Sequence, residues 1–263
     1  MTFINTLNPV LFTLGPLEVR WYGLVYVLGF FAAYWVLKKT LLSPKEADSV
    51  IVWMLVGMIL GSRTFHFLFY HPGSWNILDF FAVWQGGMSF HGGFLGVTLG
   101  LFLWSRRYKK NFFALADITV VVAAFFLALG RLANFTNSEI VGTVTSVSWC
   151  VEFPLAHPPF NEGCRHPTQL YAFVKNVVIG SVLVLLLRAK RFSHGFAFWS
   201  FMFLYGVFRF AVNTLRDDPV VLGAWLKTGH VLSAVLVLVA VYALYTRHAS
   251  DCKKLFNPGR EKK

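Results

Sequence analysis

Seven apolar stretches separated by short polar connections divide the chain. They run from about Leu17 to Leu37, Val50 to Tyr70, Met88 to Trp104, Phe113 to Leu132, Leu170 to Leu187, Gly195 to Val212 and Val220 to Tyr245. Each is near the length, roughly 20 residues, that an α-helix needs to cross a bilayer core. Between the fourth and fifth lies a polar interval, Asn134 to His166, holding Pro154, Pro158 and Pro159, with Pro167 just beyond. Proline removes a backbone donor and clashes with the preceding turn, so this interval cannot be a long helix. The pattern predicts an all-α integral membrane protein of seven transmembrane helices with a small external head domain. Helices one to four occupy residues 1–133, the head 134–167, helices five to seven 168–247, and a basic tail 248–263. The first stretch precedes its charges, Lys38 and Lys39, and exceeds the apolar core of a signal peptide, so it reads as a span rather than a cleaved leader.

Composition agrees. Charged residues make up 14% of the 263 positions, against about 25% in soluble domains. A net charge of +12 would on its own admit a nucleic-acid partner, but its placement argues against one. The connections after stretches one, three, five and seven hold Lys38, Lys39, Lys45, Arg106, Arg107, Lys109, Lys110, Arg188, Lys190, Arg191, Arg247, Lys253, Lys254, Arg260, Lys262 and Lys263, while the opposite connections hold almost none. Basic connections stay on the cytoplasmic side. The C-terminus is therefore expected inside, and the N-terminus and head outside. No internal repeat is visible, so the symmetry of many transporters gets no support.

Cys150 and Cys164 fall in the head and Cys252 in the tail. The first two either form a disulfide, which would contribute about 3 kcal/mol by closing its loop, or remain free thiols. Cys150, His157, Cys164 and His166 follow no usual zinc spacing, and no metal or cofactor is expected.

The chemistry concentrates in Leu129–Gly142, where Arg131, Asn134, Asn137 and Glu139 follow an apolar run. An ionisable group at membrane depth is costly and points to function. On a continuing helix, Arg131 and Asn134 share a face. Arg63, Lys175 and Arg209 also lie within or at the ends of apolar runs, and the acids near them in those runs are few, Asp117 and Glu139. The counter-charge is then expected to arrive with a ligand, such as a phospholipid phosphate, which arginine grips with a two-pronged fork. Snorkelling of the ammonium to the interface accounts for Lys175. His91, inside Gly86–Gly93 with Gly92 and Gly93 beside it, can move protons near neutrality, and the glycines admit close approach of a ligand. Trp21-Tyr22-Gly23 reads as an interfacial aromatic belt or part of the same site.

Together, Arg20–Leu24, Gly86–Gly93, Gly130–Gly142, His166–Tyr171 and Tyr205–Arg209 resemble, in order, the prolipoprotein diacylglyceryl transferases of the bacterial inner membrane. The resemblance implies a multi-pass enzyme with a periplasmic N-terminus and head and a cytoplasmic C-terminus. It implies transfer of diacylglycerol from phosphatidylglycerol to the lipobox cysteine of a prolipoprotein signal peptide, with glycerol phosphate released. The implied catalytic residues are His91, Arg131, Arg209 and Tyr22. Asn134, Glu139, Gly142, Arg63, Asn137, Tyr205, Gly92 and Gly93 would bind substrate. The chain departs from the family pattern at Ala133 and Ser138, where glycine is usual, at Ala172 and Asn213, where acids are usual, and at His230, where glutamine is usual. The competing expectations are a non-catalytic lipid- or lipoprotein-binding paralogue and an anion transporter.

Overall fold

The computed structural model describes residues 2–15, 17–69, 77–82, 87–217, 220–222 and 226–256. In chain order the elements are β1 (Phe3–Ile4), β2 (Val10–Leu14), β3 (Leu17–Arg20), α1 (Trp21–Thr40), α2 (Pro44–Phe69), α3 (Ile77–Phe81), α4 (Phe90–Arg107), α5 (Phe112–Thr136), β4 (Val151–Glu152), α6 (Thr168–Arg188), α7 (Phe196–Thr214), β5 (Val220–Leu222), β6 (Leu226–Lys227), α8 (Thr228–Arg247) and α9 (Ala249–Phe256). Six helices among the described residues are long and apolar enough to cross a membrane: α1, α2, α5, α6, α7 and α8. Helix α4 occupies the third expected stretch, but its glycines and its Arg106-Arg107 end leave it outside that set. Large apolar side chains stand exposed along the six, with Leu238 at 70% and Leu185 at 66%. Such helix faces are stable where the surrounding solvent is hydrocarbon.

Two boundaries differ from the hydrophobic pattern. Leu17–Arg20 pairs antiparallel with Val10–Leu14, with Gly15 in the left-handed region (φ 58°), so the first helix starts at Trp21. Val220–Leu222 pairs with Leu226–Lys227, so the last helix starts at Thr228 rather than Val220. A short apolar run has no period that distinguishes strand from helix.

Helix starts follow local chemistry. Ser43 precedes Pro44 at the first turn of α2, and Glu46 accepts from both the Ser43 backbone N–H and hydroxyl at 2.9 Å. This satisfies backbone donors that a helix start leaves open. Asn111 does the same for α5, its Oδ1 accepting from the N–H groups of Phe113 and Ala114.

The chain forms two compact units, Phe30–Thr119 and Met1–Gly29 with Val120–Lys263. In the first, α2 and α4 pack through glycines. A Cβ on Gly57 or Gly61 would strike the carbonyls of Gly96 and Gly92, and one on Gly100 would strike that of Trp53. Backbones this close need residues without side chains. Trp104 is fully buried in the same interface and donates to Ser49 Oγ at 3.0 Å.

In the second unit, α7 packs against both α6 and α8. The residues between α5 and α6 build a small core of Val141, Val151, Phe153 and Ala156 against Phe135 and Phe160. Strand β1 adds to it in parallel with β4, and buried Asn5 donates to the Phe135 carbonyl at 2.7 Å. Cys150 and Cys164 form a disulfide across this segment, which resolves the two expectations for them. Arg165, 4% exposed, donates to the carbonyls of Glu162, Gly142 and Pro159 and pairs with Asp217 at 2.8 Å. Opening the disulfide with a Cys150→Ser, Cys164→Ser double variant should cost about 3 kcal/mol for a loop of this length. Denaturant unfolding of the segment, followed by tryptophan fluorescence at Trp149, measures it.

Part of the tail, Ala249–Phe256, is helical. Helix α9 is clasped to the α6–α7 connection: Asp251 accepts from the Ser193 hydroxyl and backbone, from Lys254 at 2.9 Å and from His248 at 3.2 Å. Burial opposes ionisation of the Asp251 carboxyl, yet these donors hold its pKa at about 2, below the ordinary 3.8. A folded-state pKa below the unfolded one stabilises above the unfolded value and is lost as pH falls through the folded value. Hydrogen-exchange protection of α9 should therefore fall between about pH 4 and about pH 2. In Asp251→Asn the protection should be low and flat across that range.

Candidate active site

Helix α5 continues through Thr136, so Arg131 and Asn134 do fall on one face, and the Arg131 guanidinium donates to Asn134 Oδ1 at 3.1 Å. Asn134 is 3% exposed, and its amide donates onward to Glu139 Oε2 at 3.0 Å. The Asn137 amide donates to the other oxygen of that carboxylate at 3.2 Å. The carboxylate thus orients two amides, and one of them orients the arginine.

Glu139 reaches this position because the chain turns sharply after the helix. Ser138 (φ 53°) and Ile140 (φ 59°) both sit in the left-handed region. That region costs a residue with a side chain about 1–2 kcal/mol, and the β-branched Ile140 is among the least suited to it. The turn is held from outside. Gln169 Nε2 donates to the Glu139 carbonyl at 2.7 Å, Thr168 Oγ1 to the Ile140 carbonyl at 2.8 Å, and Asn5 to Ser138 Oγ at 3.2 Å. The first turn of α6 therefore fixes the end of α5. The sequence showed His166–Tyr171 as a motif but not this role, which exists only once α6 lies beside the turn.

Arg131 and Arg209 line one cavity that is partly open to the outside. Its wall includes Lys175, Arg216, Tyr205, Gln169 and Asn213 as well. The Arg209 guanidinium donates to the Tyr205 hydroxyl at 3.0 Å, one helical turn back on α7. The end of α7 is pinned by Lys227, whose ammonium donates to the carbonyls of Asn213, Thr214 and Arg216. A cation at a helix C-terminus also meets the negative end of the helix dipole.

Lys175 corrects an expectation. It does not reach for the interface but is buried at 8% exposure, donating to Asn176 Oδ1 at 2.8 Å with its ammonium 3.9 Å from the centre of the Tyr205 ring. Which way a helix face turns depends on its neighbours, here the aromatic α7, and a single stretch does not report it.

The other residues separate. Tyr22 shares a hydrogen bond with Tyr26 at 3.2 Å. Gly142 is a crossing point: its N–H donates to the His166 carbonyl at 3.0 Å, and a Cβ there would meet His166 and Leu215. Arg63, in the other unit, is 4% exposed and donates to the carbonyls of Asp79, Phe80 and Gly87. Gly92 and Gly93 lie against Gly61 and Ser62, where their small size serves the approach of α2. His91 belongs to the first turn of α4, and its side chain lies outside the described residues, as do Gly86 and the last seven residues of the tail.

The family model for prolipoprotein diacylglyceryl transferase matches residues 9–246. The chain belongs to this family. A phosphatidylglycerol–prolipoprotein diacylglyceryl transferase of Geobacter sulfurreducens is 42% identical over 82% of this chain and 85% of its own. Proteins of the same name from Mesorhizobium japonicum and Solidesulfovibrio magneticus are each 38% identical, covering 91% and 93% of this chain and 90% and 96% of their own. Within this diacylglyceryl transferase fold, the departures noted in the sequence acquire places. Ser138 occupies a backbone conformation that favours glycine, and its hydroxyl accepts from Asn5. Ala172 and Asn213 both line the cavity, so neither usual acid contributes charge there. His230 is buried, its Nδ1 accepting from the Lys227 backbone N–H at 3.2 Å.

Proposed function

We propose that the chain transfers the diacylglyceryl group of phosphatidylglycerol to the thiol of a prolipoprotein lipobox cysteine. The observation that carries this reading is the convergence of Arg131 and Arg209, from two different helices, on one cavity. The reacting sulfur is the thiolate, because a thiol is a poor nucleophile. It attacks the glycerol carbon that bears the phosphate. A C–S bond forms, the C–O bond breaks, and the electron pair leaves with the phosphate oxygen as glycerol phosphate. The phosphate gains negative charge as that bond lengthens, so fixed cations lower the barrier more than they stabilise bound lipid.

In this scheme Arg131 and Arg209 grip the phosphate oxygens. Asn134, Asn137 and Glu139 hold Arg131 in position, and Tyr205 holds Arg209. His91 accepts the thiol proton, and Tyr22 contacts the lipid at the membrane boundary. Arg63, Gly92 and Gly93 support packing within the Phe30–Thr119 unit, and Gly142 the chain crossing beside His166. The reading places the chain in a bacterial inner membrane, with the head and N-terminus in the periplasm and the tail in the cytoplasm. α4 completes the seven crossings.

The test is direct. The full chain in nanodiscs containing phosphatidylglycerol is incubated with a lipobox peptide, and both products are followed by mass spectrometry. A thioether-linked diacylglyceryl peptide should appear with an equal amount of glycerol phosphate. Glycerol phosphate without the adduct, or neither product, rejects the reading.

A further inference from the structure

Among the described residues, the cavity wall is charged with one sign only: Arg131, Lys175, Arg209 and Arg216 line it, and no described aspartate or glutamate does. Three of the four cations meet neutral partners: Arg131 an asparagine, Lys175 an asparagine and an aromatic ring, Arg209 a phenol. Glu139, the nearest acid in the chain of hydrogen bonds, is taken by two amides. Cations partly withdrawn from water beside neutral groups, Lys175 the most buried of them, carry a desolvation cost that an anion of matching charge offsets.

The wall also holds polar groups with nothing to bond. Asn213 is 1% exposed, and neither its amide nitrogen nor its oxygen has a hydrogen-bond partner. Gln169, equally buried, leaves Oε1 without one. These atoms are closed off from solvent, with the Asn213 amide lying against Gly229.

We propose that this cavity selects a dianionic phosphomonoester over a singly charged phosphodiester, and that Lys175 is the residue that sets the preference. The ligand is either the headgroup of a phosphatidic-acid-type lipid or a free glycerol phosphate. A phosphodiester carries one negative charge, whereas a phosphomonoester carries close to two at neutral pH. The second charge is what a third cation, Lys175, rewards. Arg131 and Arg209 suffice for a diester fork, and Lys175 is the buried addition. On the transferase reading, on which the source of the free phosphate rests, the leaving product is such a monoester. The site would then hold product more tightly than substrate.

The full chain is placed in phosphatidylcholine nanodiscs and titrated calorimetrically with sn-glycerol phosphate and, separately, with glycerophosphoglycerol, which has similar hydroxyls but a diester. Glycerol phosphate should bind more tightly by about tenfold, the scale of one hydrogen bond to a charged group. Lys175→Met should remove most of that advantage while leaving the diester affinity nearly unchanged, and Lys175→Arg should restore it. Equal affinities for the two esters in the parent chain overturn the proposal. So does equal loss of both in a folded Lys175→Met protein. Should that variant fail to fold, the parent comparison still decides.

A second arm adds phosphatidic acid or phosphatidylglycerol to the nanodisc. Competition with glycerol phosphate by phosphatidic acid alone supports the lipid source, no competition by either supports the free phosphate, and stronger competition by phosphatidylglycerol counts against the selectivity. Binding requires no turnover. A chain that selects the monoester yet forms no thioether therefore refutes the transferase reading alone.

Discussion

Replacing Arg209 with alanine should lower kcat/KM for lipidation of a lipobox peptide by about 10²–10³-fold, the usual effect of deleting one preorganised donor to a developing oxyanion. Arg131→Ala should cost at least as much, because it also strands the Asn134 and Glu139 groups that now orient the guanidinium. The loss should fall mainly on kcat. The arginines oppose charge that grows as the C–O bond breaks, and a group acting only in the transition state lowers kcat and kcat/KM together. Lysine at either position keeps the charge but not the planar fork, so Arg209→Lys and Arg131→Lys should retain only part of the activity. Asn134→Ala provides a graded comparison, since it frees the guanidinium without removing it. Each is measured by mass-spectrometric initial rates in nanodiscs, with folding checked by thermal melting. Unchanged lipidation in either alanine variant would dismiss the arginine clamp. No lipidation in the parent chain would favour the non-catalytic lipid-binding alternative.

Gly96→Leu should be the most damaging single change to the fold of the Phe30–Thr119 unit. A Cβ at this position already collides with the Gly57 carbonyl and comes within 3.2 Å of the Gly61 Cα. The obstacle is backbone on a facing helix, which cannot rotate away as a side chain would. Overpacking of a tight interface typically costs about 1–3 kcal/mol, and a backbone collision belongs at or beyond the upper end. Gly57→Leu should behave alike, because the two glycines face each other. Gly130→Ala is the control: a Cβ there meets nothing within 4 Å, and alanine is the better helix former. Thermal unfolding in detergent should show a marked fall for the first two variants and no fall for the control. Equal melting temperatures would mean that the α2–α4 approach contributes little.

The helical spans and the first part of the site were legible because both depend on single segments. An apolar run of bilayer length reports a helix whatever it packs against, and six such helices stand where runs were expected. Arg131 and Asn134, three residues apart on one continuous helix, had to share a face. Tyr205 and Arg209, given in the sequence only as one segment of the resemblance, meet on one face of α7. Cation excess within apolar stretches, with few acids to match it, already argued for an anionic ligand.

What depended on how segments pair was hidden. Leu17–Arg20 and Val220–Leu222 are apolar enough for a helix but find strand partners instead. Arg63 reads like Arg209 along the chain, yet its donors go to carbonyls around α3. Lys175 reads as a residue that reaches for water, yet α7 brings Tyr205 over it. Gly92 and Gly93 suggest room for a ligand until α2 arrives to fill it. Length and periodicity are written into each stretch separately. A charge's counter-groups come from stretches tens of residues away, and only the packed chain determines which groups those are.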